Sequence, residues 1–161
     1  PVLYRLQNVY GPGQSLINPY TGIVSLFARL AKQGQSIPVY EDGQIVRDFV
    51  FIDDVASAIV AGVLHSPAAA VPYDIGLGER TTIMQVAQAI AEPYGAPAPH
   101  VTGQFRDGDV RAAWADTARA RQALDWEPRV GVTEGINRLC DWIDAQQEAV
   151  PSAPSVTATE V

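Results

Sequence analysis

Three groups of residues have the types and spacing for anion recognition. Asn8 lies in Arg5-Leu6-Gln7-Asn8-Val9-Tyr10-Gly11-Pro12-Gly13-Gln14, at the C-terminal end of an apolar, strand-like run. That is where ligands of open α/β sheets bind. Arg47 falls within Ile45-Val46-Arg47-Asp48-Phe49-Val50-Phe51, among apolar neighbours, where an unmet guanidinium is costly and an anion is expected to meet it. Arg106-Asp107-Gly108-Asp109-Val110-Arg111 supplies a second guanidinium on a flexible loop. Convergent arginines bind phosphate through charge-assisted, often bidentate hydrogen bonds. The alternative for Arg47 is an internal ion pair with Asp48 or Asp53.

Other chemistries find less support. A tyrosine base needs a lysine four residues later on the same helix face, so that the ammonium lowers the phenol pKa. The chain has one lysine, Lys32, and Ala28 stands four residues before it. Neither His65 nor His100 lies in a nucleophile context, and His65 falls at a helix C-terminus, a structural position. One cysteine and two distant histidines do not make a metal set. Ile75-Gly76-Leu77-Gly78-Glu79-Arg80-Thr81 imitates a dinucleotide-binding turn but has Thr81 where the third glycine belongs. A tight strand-to-helix turn explains both glycines equally well.

The 161 residues suit one compact domain plus a tail. Eighteen acidic against eleven basic side chains give a net charge of -7. That balance argues against nucleic acid and leaves an anionic small molecule to be held locally by arginines. The lone Cys140 cannot form an internal disulfide and fits a reducing compartment. With no membrane span and no signal peptide in view, the chain reads as cytoplasmic, with neither membrane nor nucleic acid as a partner. It begins at Pro1, inside an apolar strand-like segment, as a chain cut within a domain does.

Elements that would position these residues follow from periodicity. The opening strand runs into a turn at Gly11-Pro12-Gly13, and a helix from about Thr21 carries Ile23, Val24, Leu26, Phe27, Leu30 and Ala31 on one face up to Gly34. Two extended runs between Ile37 and Phe51, joined by Glu41-Asp42-Gly43-Gln44, predict a β-hairpin. Asp53 or Asp54 caps a helix ending near His65. Val71 to Ile75 reads as a strand, and Thr82 with Gln85 forms a capping box for a helix from Ile83 to Tyr94. Asp116 caps another helix, and the last spans about Val132 to Gln147. Beyond Val150 the composition is too polar to order itself. Strand alternates with helix, which predicts an α/β fold.

In the order in which they occur, these strings resemble the extended short-chain dehydrogenase/reductase superfamily, the NAD-dependent nucleotide-sugar epimerases and dehydratases. The matching pieces are Arg5-x-x-Asn8-Val9-Tyr10-Gly11-Pro12, Arg47-Asp48-Phe49-Val50-x-x-Asp53-Asp54-Val55-Ala56 and Tyr73-Asp74-Ile75-Gly76-x-Gly78. Trp126-x-Pro128 and the final helix continue the series, so the resemblance covers residues 1 to 148 and leaves 149 to 161 as a disordered tail. It implies the C-terminal part of a Rossmann-type epimerase: the last strands of the sheet plus a small mixed α/β substrate-binding domain. Asn8, Arg47 and Arg106 would then hold a diphosphate. Ser25 and Phe27 would line the sugar-nucleotide pocket, although plain packing explains them, and Tyr40, as well. Pro38-Val39-Tyr40 would hold the base, and Asp109 would accept from a ribose hydroxyl. Leu6 and Gln7 would lie near the nicotinamide of NAD, whose other contacts, with the catalytic tyrosine and lysine, belong to a half absent from these residues. The implied reaction is 4-epimerisation of a UDP- or dTDP-sugar through a keto-sugar. The Leu6-Gln7-Asn8 and Ser15-to-Tyr20 strings fit rhamnose-type or glucose-type enzymes, and the intact relatives suggest a homodimer. The isolated chain is expected to be inactive. The alternatives are a dehydratase or reductase fragment and a stand-alone nucleotide-sugar-binding module.

Overall fold

A computed structural model describes residues 2–16, 22–65 and 71–147. The chain order is β1 (Tyr4–Leu6), β2 (Asn8–Tyr10), α1 (Ile23–Lys32), β3 (Pro38–Val39), β4 (Val46–Arg47), β5 (Phe49–Phe51) and α2 (Ile52–His65). Then come β6 (Tyr73–Ile75), β7 (Thr81–Thr82), α3 (Ile83–Ala91), β8 (His100–Val101), α4 (Ala118–Leu124) and α5 (Val132–Gln147). The expected tail at 149–161 and the 17–20 part of the loop before α1 lie outside the described residues.

Gln7 is where the chain changes partner. β1 pairs in parallel with β6, Tyr4 opposite Tyr73 and Leu6 opposite Ile75. β2 pairs in parallel with β5, Asn8 opposite Phe49 and Tyr10 opposite Phe51. At the junction the Gln7 amide still donates to Ile75 O at 2.9 Å, and the Asn8 amide already donates to Asp48 O at 3.0 Å.

β5 is buried at all three positions. Its side chains alternate between faces, so Phe49 and Phe51 join a core with Tyr10, Phe27, Ile136 and Leu139. Val50 points into a second core with Tyr73, Ile75, Leu124 and Trp126. A strand covered on both faces reads as a continuous apolar run, as Phe-Val-Phe does. The first core is closed by α1, α3 and α5, and the second by α2 and α4. α5 passes so near β2 that a methyl group at Gly135 would overlap the Tyr10 hydroxyl, which donates to Val132 O at 3.2 Å.

Local signals are realised where they are self-contained. Thr82 Oγ1 accepts from the Gln85 amide at 3.1 Å and Gln85 Oε1 from the Thr82 amide at 2.8 Å, a complete capping box. Past Gln33, the C-cap of α1, Gly34 adopts φ +70°. α3 stops at Ala91, short of Tyr94. The predicted β-hairpin does not form. The turn is present, with Asp42 Oδ1 accepting from the Gln44 amide at 2.9 Å, but its arms diverge: β3 pairs in parallel with β8, and β4 antiparallel with β7. Both arms are apolar enough to be buried, and each finds a different distant neighbour. Nor is Asp54 a cap: α2 already begins at Ile52, and the buried Asp54 carboxylate accepts from the Arg129 and Val130 amides at 2.9 and 3.0 Å.

Candidate functional site

β2, α1, β3, β4 and the 102–112 loop enclose a cavity of about 720 Å³, within the range of small-molecule sites. Asn8, Ser25, Phe27, Pro38, Tyr40, Arg47, Arg106 and Asp109 line it, from segments up to about one hundred residues apart. Three other expected residues lie elsewhere. Val39 is 0% exposed within the first core, and its carbonyl accepts from the Thr102 amide at 2.9 Å. Leu6 and Gln7 sit where β1 passes to β2, apart from the cavity lining.

Arg47 is neither free nor paired with Asp48 or Asp53. Its Nη1 donates to Val46 O at 2.8 Å and to Val110 O at 2.6 Å, and its Nη2 meets Asp109 Oδ1 at 2.5 Å. The side chain is 17% exposed, so this charge is largely withdrawn from water and answered by oxygens of the loop. The loop itself is held at both ends. The Glu41 amide donates to Gln104 O at 2.7 Å, and β4 exchanges hydrogen bonds with Arg111 and Ala113. Arg111 grips Asp42 through both terminal nitrogens, at 2.7 Å each, and reaches Glu41 at 2.9 Å. The Arg111 guanidinium and the Gln44 amide together hold the Asp42 carboxyl well below the usual carboxylate range.

Ser25 sits on the buried face of α1, 3% exposed. Among the described residues its Oγ is the one buried side-chain oxygen without a hydrogen-bond partner. Such a group carries a desolvation cost unless a ligand or water meets it. Asn8 Nδ2 donates to Asp48 O at 3.1 Å, which fixes its amide at the cavity wall. Tyr40 is 45% exposed, an aromatic ring available at the mouth.

Two residues escaped the sequence reading. Arg29 also lines the cavity; it follows Ser25 by four residues, and that spacing on one helix was the available signal. Asp48, 0% exposed, accepts from the amides of Leu77, Gly78 and Ala115 at 2.8, 3.0 and 3.1 Å. Its carboxylate fills the Gly76-Leu77-Gly78 turn, and a methyl at Gly76 would overlap it. The turn that imitates a phosphate-binding fingerprint therefore cradles an anion of the protein itself. His100 Nδ1 is 2.7 Å from Ser36 Oγ, burial pushes the Cys140 thiol pKa up, and neither residue lines the cavity. Among the described residues no helix is long and apolar enough to cross a membrane, and no cluster of side chains is suited to hold a metal ion.

The model of the NAD dependent epimerase/dehydratase family matches residues 1–76. A dTDP-L-rhamnose 4-epimerase of Burkholderia thailandensis is 55% identical over 141 residues, 88% of this chain and 39% of that protein. A UDP-glucose 4-epimerase of Mycolicibacterium smegmatis is 36% identical over 84% of this chain and 42% of its own length. Among solved structures, the UDP-glucose 4-epimerase of Thermotoga maritima with UDP-glucose superposes with a TM-score of 0.82 at 30% identity, over 91% of this chain and 46% of that one. The chain thus spans less than half the length of these relatives. Sequence strings, fold and these likenesses agree that the chain belongs to the NAD dependent epimerase/dehydratase family.

Proposed function

We propose that these residues form the nucleotide-sugar-binding portion of an NAD-dependent nucleotide-sugar 4-epimerase, which moves a hydride from a sugar carbon to NAD and back through a keto-sugar. The observation that carries this reading is the convergence of Asn8, Arg47, Arg106, Asp109 and Tyr40 on one cavity. In it, the arginines and Asn8 hold the diphosphate, Asp109 accepts from a ribose hydroxyl, and the Tyr40 ring borders the base. Phe27 and Ser25 form the wall on the α1 side. The binding function is assigned to residues 1–148. The dTDP-L-rhamnose 4-epimerase at 55% identity supports a rhamnose-type substrate on a thymidine or uridine diphosphate.

NAD supplies the hydride acceptor in this family; Leu6 and Gln7 would border its nicotinamide, but the described residues offer no turn for its phosphates and no catalytic pair. The Gly76-Gly78 turn is filled by Asp48, and the sequence holds no tyrosine with a lysine four residues on. We therefore assign residues 1–148 to substrate recognition and not to hydride transfer, and expect the chain to have no epimerase activity by itself. Calorimetry with UDP and dTDP tests the reading. Saturable binding that Arg47→Ala strongly weakens supports it, and the absence of heat with both nucleotides overturns it.

A further inference from the structure

The charges facing the cavity are unequally matched. Arg29, Arg47 and Arg106 line it against a single carboxylate, Asp109. Arg47 is already met by Asp109 and two backbone carbonyls. Outside the cavity every arginine but Arg129 is matched by a carboxylate or an aromatic ring. Among the described residues only Arg29, Arg106 and Arg129 have side chains with no such partner, and two of these three face the same cavity. In a chain of net charge -7, two unmatched guanidiniums at one concavity make a local anion site against the overall field. Ser25 gives a second, independent indication. Its buried, unpartnered Oγ lies one helical turn before Arg29, and residues four apart on a helix share a face.

We infer that Arg29 is a specificity residue of this cavity, which reads the second phosphoryl group of a nucleoside diphosphate while Arg106 reads the first; the inference rests on the nucleotide-binding role proposed above. The two unmatched cations come from separate elements, a helix and a loop, and a ligand carrying negative charge at two points can engage both at once. A diphosphate does, and a monophosphate satisfies only one of them. Arg47, tied to the loop, also keeps Arg106 and Asp109 in place while it lines the same cavity.

Calorimetry on the full chain with UDP and UMP, and in parallel dTDP and dTMP, tests this, using Arg29→Gln and Arg29→Lys. Arg29 is exposed, so both variants should retain the circular dichroism spectrum of the parent chain. The expected result is a diphosphate affinity about tenfold weaker in Arg29→Gln, a monophosphate affinity within twofold, and partial recovery in Arg29→Lys. Unchanged diphosphate affinity in Arg29→Gln overturns the inference, as does an equal loss for both nucleotides. If the parent chain binds no diphosphate, the nucleotide reading itself fails and this inference goes with it. The two failures are thus distinguishable.

Discussion

Asp109 Oδ1 lies 2.5 Å from Arg47 Nη2, across 62 residues of sequence. The pair joins the strand wall of the cavity to its loop wall, so one substitution should act on both. Arg47→Ala is expected to weaken UDP binding about ten- to a hundredfold, the range for losing charge-assisted hydrogen bonds. It should also speed amide exchange at 106–110. Affinity within twofold of the parent, with unchanged exchange, would sink this account.

Ser25→Ala separates stability from binding. Removing a buried oxygen that lacks a protein partner should leave stability unchanged or raise it by about 1 kcal/mol. Affinity for the nucleotide sugar should fall, because that oxygen is then lost to the ligand. A parallel drop in both quantities would mean that the hydroxyl is structural.

Asp48→Ala is expected to be among the most destabilising single changes in the chain. It strands three backbone amides at once, those of Leu77 and Ala115 buried and that of Gly78 partly so, an effect of about 3 kcal/mol or more. Urea unfolding reads it directly, and a midpoint close to that of the parent would contradict the role assigned to this carboxylate.

Gly135→Ala forces a methyl against the Tyr10 hydroxyl and should cost about 1 to 3 kcal/mol as an overpacked contact. Combining it with Tyr10→Phe removes the obstructing oxygen, at the cost of the hydrogen bond to Val132. The double variant should therefore be more stable than additivity requires. Strict additivity in thermal unfolding would place the strain elsewhere.

The Arg111 grip on Asp42 has a pH signature. Because the carboxyl is held below its ordinary value, its contribution is fully present above the unfolded-state pKa of about 3.9 and is lost as the pH falls from there through the folded-state value. The stability difference between the parent and Asp42→Asn should be constant from pH 7 to about 5 and shrink below about 4. A difference that persists unchanged at pH 2 would refute the linkage.

What the sequence made legible was what neighbouring residues decide among themselves. The Thr82–Gln85 box and the helix from Val132 to Gln147 needed only local hydrogen bonds and a 3.6-residue period, and both are present. The hairpin failed because β3 takes its partner from residues 100 and 101, which no turn signal announces. The same blindness affected the site. Arg47 was weighed against Asp48 and Asp53, close in sequence, while its real partner lies on a loop whose path depends on Arg111 and Asp42. Eight of the expected binding residues do line the cavity: Asn8, Arg47 and Arg106 are legible as a strand end and two guanidiniums, and Ser25, Phe27, Pro38, Tyr40 and Asp109 follow only from the family resemblance. Val39 does not, because alternation along β3 turns it into the core.

β5 contributes to two separate cores through three consecutive residues. Neither core can melt while the other stays intact, since each would lose the strand they share. Arg47 immediately precedes that strand, and Asp48 ties its start to the 77–78 turn. The binding wall is therefore coupled to the global unfolding transition and not to a local one. Slow amide exchange at 49–51 and loss of ligand affinity under denaturant should report a single cooperative event.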